Sequence, residues 1–277
     1  MIDLIASSGQ TPAQEAALYH LNTGGSRMRA RLALASGAIH LDPTDCTAAA
    51  AACELLHNAS LVHDDISDGD LLRRSALTVR SAYGTGVALC TGDLLLSAAF
   101  MAASQIKDSM TSLYLTRMMA QTAARVIGGQ SIELADQTQP TTPTRRQYLT
   151  ATRAKTAPLI ELPIRIGMLK STTHQASAQS VEALAEAIGL AYQILDDLDD
   201  LQAAASTQSA PSVHRLHAWW HHQIPCRETD TVATTQRCLR HVRAALRRAS
   251  TLATQLPTPL RGCVEELIEK LTVKAAQ

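Results

Sequence analysis

Leu55-Leu56-His57-Asn58-Ala59-Ser60-Leu61-Val62-His63-Asp64-Asp65-Ile66-Ser67-Asp68 is the stretch on which the rest of the chain turns. It is an apolar run at helical spacing that ends in three acids, with Arg73-Arg74 close behind. Carboxylates crowded within a few ångströms raise one another's pKa unless a cation stands among them, so positive charge is expected there. Asp64 and Asp68 are four residues apart, which on a helix puts them on one face about 40° apart, with Asp65 turned to the side. Hard oxygen ligands with few fixed protein partners suit Mg²⁺, which keeps its waters and bridges to phosphate groups.

The second half of the chain repeats the pattern. Gly189-Leu190-Ala191-Tyr192-Gln193-Ile194-Leu195 is again apolar and runs into Asp196-Asp197-Leu198-Asp199-Asp200, with Asp196 and Asp200 at i and i+4. One such cluster is a weak signal, because most acidic clusters are solvated faces or helix ends. Two of them, each closing an apolar helix, are much harder to produce by chance. Two helices of this kind facing each other are expected to hold a small group of divalent ions.

The order and spacing of these motifs, from about Gly24 to Asp200, resemble the trans-isoprenyl diphosphate synthases of the polyprenyl synthetase family. Asp64, Asp65, Asp68, Arg73 and Arg74 match the family's first aspartate-rich motif, and Gln193, Asp196, Asp197 and Asp200 match its second. Gly129-Gln130-Ser131-Ile132-Glu133 is similar to its GQxxD, with Glu133 in place of Asp, and Lys155-Thr156 to its KT pair. Gly24, Gly25 and Arg29 match GGKxxR, but Ser26 stands where the family has Lys. After Asp200 the family's GKxxxxD segment and a further Lys are missing.

The resemblance implies an all-α, single-domain helical bundle of the isoprenoid synthase type over residues 1–277, with a central substrate cavity. It implies a prenyltransferase that condenses an allylic diphosphate with isopentenyl diphosphate, head to tail. The alternatives on the same fold are a class I terpene cyclase and a non-catalytic partner subunit of a synthase. About three Mg²⁺ ions, with Asp64, Asp68, Asp196 and Asp200 as ligands, would bind the allylic diphosphate and stabilise departing pyrophosphate. Asp65, Asp197, Arg73 and Lys155 complete the catalytic set. Arg29, His57 and Arg74 are implied for isopentenyl diphosphate, and Gln130, Thr156 and Gln193 for substrate binding. Ala59 and Ser60, about one turn before Asp64, are implied to limit chain length, and because both are small the expected product has twenty carbons or more. A homodimer is implied, with the helix of Gly92-Asp93 at its interface.

Composition agrees with helices. Hydrophobic residues make up 46% of the 277, but aromatics only 3%, with a single Phe, so the core is expected from Ala, Leu, Val, Ile and Met, which pack as helices rather than as a β-sandwich. A formal net charge of zero gives no electrostatic reason to expect nucleic acid as a partner. The six cysteines form no CxxC pair, which fits reduced thiols in a cytoplasm. No integral membrane segment is expected, since no apolar run reaches the required length of roughly 18 residues.

In chain order, Thr11-Pro12 is expected to start a helix, a second helix to run from Ala30 to about Ile39, and Asp42-Pro43 to start the long helix that carries His57. His63 is expected to orient one of the aspartates that follow it. Gly84-Thr85-Gly86 reads as a turn, 108–126 as one helix, and 140–144 as the loop before the helix of Lys155. From Leu201 to Ser212 the low complexity suggests mobility. Around Trp219-Trp220, the four histidines His214, His217, His221 and His222 lack the carboxylate or thiolate set of a metal site. Two amphipathic helices, split by Pro257-Thr258-Pro259, are expected to close the chain, with Arg237, Arg240, Arg243, Arg247 and Arg248 on a solvated face.

Overall fold

Thr11 and Gln14 show how the chain sets a helix boundary. The Gln14 amide N–H donates to the Thr11 hydroxyl at 3.4 Å, and the Gln14 side chain accepts from the Thr11 N–H at 2.8 Å. Pro12 fills the first helical position, where no donor is needed. The computed structural model describes residues 1–6, 11–137, 145–169, 174–207 and 231–276. The helices are α1 (Ile2–Ala6), α2 (Pro12–Asn22), α3 (Met28–Gly37), α4 (Pro43–Asp68), α5 (Val79–Tyr83), α6 (Thr85–Ser104) and α7 (Ser109–Gln137). They continue as α8 (Arg145–Lys155), α9 (Ala157–Arg165), α10 (His174–Thr207), α11 (Thr231–Ala253) and α12 (Thr258–Lys274), with a 3₁₀ turn at Ile166–Met168. The chain divides into two compact units, Met1–Ala123 with Leu162–Thr172, and Ala124–Glu161 with Thr173–Gln277.

In the first unit α4 is the central element, packed on α3 and α6. Asp42 caps it, accepting from the N–H groups of Thr44 and Asp45 at 2.9 and 3.0 Å, and Pro43 follows at the first position. Gly69, at φ 73°, ends it in the left-handed conformation that suits glycine, donating its N–H to the Asp65 carbonyl. Ala48, Ala49, Ala50 and Ala52 are all buried, and with nothing beyond Cβ they let neighbouring helices come close. Twenty-six residues span about 39 Å at 1.5 Å per residue, so one rigid rod carries both its core anchors and its acidic end.

A feature with no sequence expectation follows Asp68. β1 (Leu72–Arg73) and β2 (Ala76–Leu77) pair antiparallel, Leu72 with Leu77 and Arg73 with Ala76. Arg74 and Ser75 form the turn with φ of 54° and 63°, as a two-residue hairpin with both central residues left-handed requires. Apart from this hairpin the described residues form an all-α fold.

In the second unit α10 is the central element, with α11, α8 and α12 against it. Gly189 lets α10 close on the start of α9, because a Cβ there would lie 3.2 Å from the Ala157 backbone. The two closing helices lie where Pro257-Thr258-Pro259 places them, and Arg240, Arg243, Arg247 and Arg248 are exposed as expected, while Arg237 is half-buried.

Several expected boundaries move. The second helix starts two residues early, at Met28, and α7 runs straight through Gly128-Gly129 to Gln137 instead of ending near Val126. Leu201–Thr207 continue α10 as helix. The expectation that no run reaches membrane-spanning length is also corrected. With Asp93 its only charged residue, α6 is long and apolar enough by length and composition, and 44% of that window is buried inside the fold. Residues 140–144 and the histidines of 214–222 lie outside the described residues. Among the described residues no disulfide joins Cys46, Cys53, Cys90, Cys238 or Cys263.

Candidate active site

At the acidic end of α4 the three aspartates separate by role. Asp64 and Asp68 are half-buried on one face, while Asp65 is wholly buried and turned toward the hairpin. There Arg73 Nε donates to Asp65 Oδ1 at 2.7 Å, and Arg73 Nη2 lies 3.8 Å from Asp70. Burial pushes the Asp65 carboxyl up to about 6 against the pull of Arg73, and its Oδ2 has no hydrogen-bond partner. His63 reaches an acid of another helix. Its Nε2 lies 3.4 Å from Asp93 of α6, and it packs so tightly over Gly92 that a Cβ there would sit 2.2 Å from the same nitrogen.

The hairpin turn sends the adjacent Arg74 elsewhere, toward the glycine loop that precedes α3. Arg74 Nη1 donates to the Gly24 carbonyl, and its guanidinium lies over Gly25, where a Cβ would come 2.7 Å from Cζ. Gly24 and Gly25, at φ 88° and 118°, hold a conformation that side-chain-bearing residues rarely adopt. His57 is buried beside this loop. Burial, then Arg29, Arg74 and Arg73, hold its pKa well below the usual imidazole range, so the ring is neutral and offers one N–H. Its Nδ1 has no hydrogen-bond partner. His20 meets Asn58 at 3.1 Å in the same region and is lowered to about 4, by burial first and then by Arg74 and Arg73.

A buried acid pins the loop from behind. Glu54, 2% exposed, accepts from the Ala30 N–H at 3.1 Å and from Asn58 Nδ2 at 3.4 Å, with Arg27 Nη1 at 3.8 Å. Arg27, left-handed at φ 49°, also donates to the Leu21 carbonyl. Sequence reasoning missed Glu54, although a lone acid inside the apolar run 48–56 was a signal that something needed it there.

The second unit groups a different set. Lys155 Nζ lies 3.1 Å from Glu133 Oε2, so the substituted acid of α7 and the lysine of α8 form an ion pair. Both amide atoms of Gln130, one turn before Glu133, are buried without a hydrogen-bond partner. The Thr156 hydroxyl donates to Gln193 Oε1 at 3.1 Å, Gln193 Nε2 donates to Asp197 Oδ1 at 3.1 Å, and the Tyr148 hydroxyl donates to Asp197 Oδ2 at 2.7 Å. Asp197 is thus buried and engaged at both oxygens, while Asp196 is exposed. The side chain of Asp200 lies outside the described residues.

Gly129 decides how closely α7 approaches Lys155. A Cβ there would come 2.8 Å from the Lys155 backbone nitrogen and 3.0 Å from the Ala154 carbonyl carbon, whereas one on Gly128 meets nothing within 4 Å. Alanine at two neighbouring helical positions is therefore expected to act with opposite signs. Gly128→Ala should stabilise by up to about 1 kcal/mol through lower chain entropy and better helix propensity. Gly129→Ala should cost about 2 kcal/mol through overpacking against backbone. Urea unfolding of both variants is the check, and equal shifts would contradict the close approach.

Oxygen donors of the Asp64 and Asp68 kind fit Mg²⁺, which takes one or two carboxylates from a protein and the rest from phosphate and water. The orphaned Asp65 Oδ2 marks a place where added positive charge is favourable. Among the described residues no three His, Cys, Asp or Glu side chains converge on one point. Small side chains follow one turn back on α4. Ala59 is 2% exposed, and the Ser60 hydroxyl donates to the His57 carbonyl at 2.8 Å.

Of the residues singled out from the sequence, the first unit thus brings Arg29, Arg74 and His57 together, and the second brings Lys155, Thr156, Gln193 and Asp197 into one region. Residues 10–212 match the polyprenyl synthetase family. The chain is 35% identical over 187 residues to the short chain isoprenyl diphosphate synthase of Methanocaldococcus jannaschii, covering 67% of this chain and 57% of that one. It is 31% identical over 191 residues to the geranylgeranyl diphosphate synthase of Methanosarcina mazei, covering 68% and 59%. It therefore matches somewhat under three fifths of the length of these relatives. In fold it is similar to the geranylgeranyl pyrophosphate synthetase from Pyrococcus horikoshii, with a TM-score of 0.84 at 24% identity over 97% of this chain and 92% of that one. With the motifs matched residue by residue and the helical fold shared, the chain belongs to the polyprenyl synthetase family.

Proposed function

We propose that the chain is a magnesium-dependent trans-prenyltransferase that joins an allylic diphosphate to isopentenyl diphosphate and releases a prenyl diphosphate of twenty carbons or more. One observation carries this reading. The cationic pocket around His57 and the acids at Asp64 and Asp68 lie on the same helix, seven residues or about 10 Å apart, which leaves room for one diphosphate at each. Arg29, Arg74 and neutral His57 hold isopentenyl diphosphate. Lys155, Gln130, Thr156 and Gln193 bind and orient the allylic diphosphate. Asp64 and Asp68 on α4, and Asp196 and Asp200 on α10, would be the ligands for about three magnesium ions, and Arg73 fixes Asp65 next to the first pair. Magnesium, when bound, supplies positive charge to the departing pyrophosphate. The protein acts as a cytoplasmic homodimer, and residues 1–277 work as one catalytic domain.

The Lys absent at Ser26 favours one second reading, a terpene cyclase that has dropped isopentenyl diphosphate. Incubation of pure protein with Mg²⁺ and an allylic diphosphate, with and without isopentenyl diphosphate, separates the readings. A longer diphosphate formed only with isopentenyl diphosphate is the expected result, a hydrocarbon formed without it indicates the cyclase, and no turnover indicates a partner subunit. Ala59→Phe should shorten the product by at least one five-carbon unit, seen by chromatography of the dephosphorylated alcohols. An unchanged product profile would place the floor of the pocket at another layer.

A further inference from the structure

We infer that Tyr148 is a positioning residue for the allylic substrate, fixing the Gln193 amide and the Thr156 hydroxyl in one orientation through Asp197. The inference rests on the prenyltransferase reading above. Tyr148 is 1% exposed and is among the largest wholly buried side chains of the fold. In a core that otherwise relies on aliphatic residues, Phe would fill the same volume without a polar atom to satisfy. The hydroxyl has specific partners instead, donating to Asp197 Oδ2 at 2.7 Å and bonding the Thr152 side chain.

Donor and acceptor roles follow from one contact to the next. An ionised carboxylate only accepts, so both Tyr148 and Gln193 must donate to Asp197. The NH₂ end of Gln193 is therefore turned to Asp197 and its carbonyl end to Thr156, whose hydroxyl donates to it. Thr156 directly follows Lys155, so the chain of contacts ends beside the lysine assigned to the diphosphate. Burial, then the charge of Asp197, holds the phenol well above its ordinary pKa, and it keeps its proton throughout the working range.

With both oxygens of Asp197 engaged in this way, it serves as an anchor, and the ligand role in the second acidic motif falls to Asp196 and Asp200. Without the phenol hydroxyl the carboxylate is held on one side only and can rotate away from Gln193, and the amide then loses the acceptor that fixes which end it turns to Thr156. The Thr156 hydroxyl, next to the lysine assigned to the diphosphate, would lose its fixed orientation with it.

The test compares wild type with Tyr148→Phe, each first shown to be folded by circular dichroism and thermal unfolding, in steady-state assays with both substrates. Tyr148→Phe is expected to lower kcat about tenfold, as expected for a contact displaced by less than an ångström. KM for isopentenyl diphosphate should stay within about twofold, because its assigned ligands Arg29, His57 and Arg74 belong to the other unit. Tyr148→Phe combined with Gln193→Ala should be no slower than Gln193→Ala alone, since both act through one amide. Asp197→Asn, which preserves size, should reproduce the kcat loss if the Phe variant is poorly folded. Wild-type kcat in Tyr148→Phe, losses that multiply in the double variant, or both KM values rising together would overturn the inference while leaving the prenyltransferase reading intact. A wild-type protein that turns over no allylic diphosphate would remove both.

Discussion

Asp64→Asn is expected to lower prenyl transfer about 10²- to 10³-fold and to raise the Mg²⁺ concentration needed for half-maximal rate. The substitution keeps size and helix geometry but removes one hard anionic oxygen from a face that is half-buried and supported by a rigid 26-residue helix. Losses of that size are usual when one preorganised contact to transition-state charge is removed. Because the direct Asp65–Arg73 contact stays intact, the unfolding midpoint should move little. Steady-state rates across a magnesium titration, with circular dichroism as the folding control, test it. Unchanged rate and unchanged magnesium dependence would mean that these acids do not hold the ion.

Arg73→Met is expected to cost stability first, by about 3 kcal/mol. Removing one partner of a buried pair leaves an uncompensated charge, and Asp65 is wholly buried with its second oxygen already unpartnered. The low end of the usual range applies because the Arg73 side chain is 25% exposed and its charge is partly screened. Adding Asp65→Asn should return part of the loss, since the residue left behind is then neutral. Urea unfolding of the two single variants and the double decides the matter. A single variant within 1 kcal/mol of wild type, or a double no better than Arg73→Met, would assign the pair no structural weight.

Helical spacing alone turns Asp65 away from the face of Asp64 and Asp68, and Asp197 away from that of Asp196 and Asp200. It does not say what braces the acids turned away, and Arg73 and Arg74 read alike in one dimension. A two-residue turn with both residues left-handed sends Arg73 back to Asp65 and Arg74 on to Gly24. Tyr148 reaches Asp197 across 49 residues of sequence. His63, expected to serve the acids next to it, reaches Asp93 instead, because the missing Cβ of Gly92 leaves room on α6 for the imidazole. The double glycine 128–129 looked like a helix end. It proved to be a continuous helix in which one glycine permits contact with the Lys155 backbone and the other does nothing of the kind.

By itself the sequence determined the helical class, the start signals of α2, α4 and α12, and the residues from which anion and metal chemistry had to come. Those features are local: capping, proline placement, apolar periodicity and charge spacing act within a few turns of the chain. Only the tertiary structure decided which distant side chain braces Asp65 and Asp197, and where each of Arg73 and Arg74 reaches. That choice depends on what approaches from distant parts of the chain, and the cost of burying an unmatched charge enforces it.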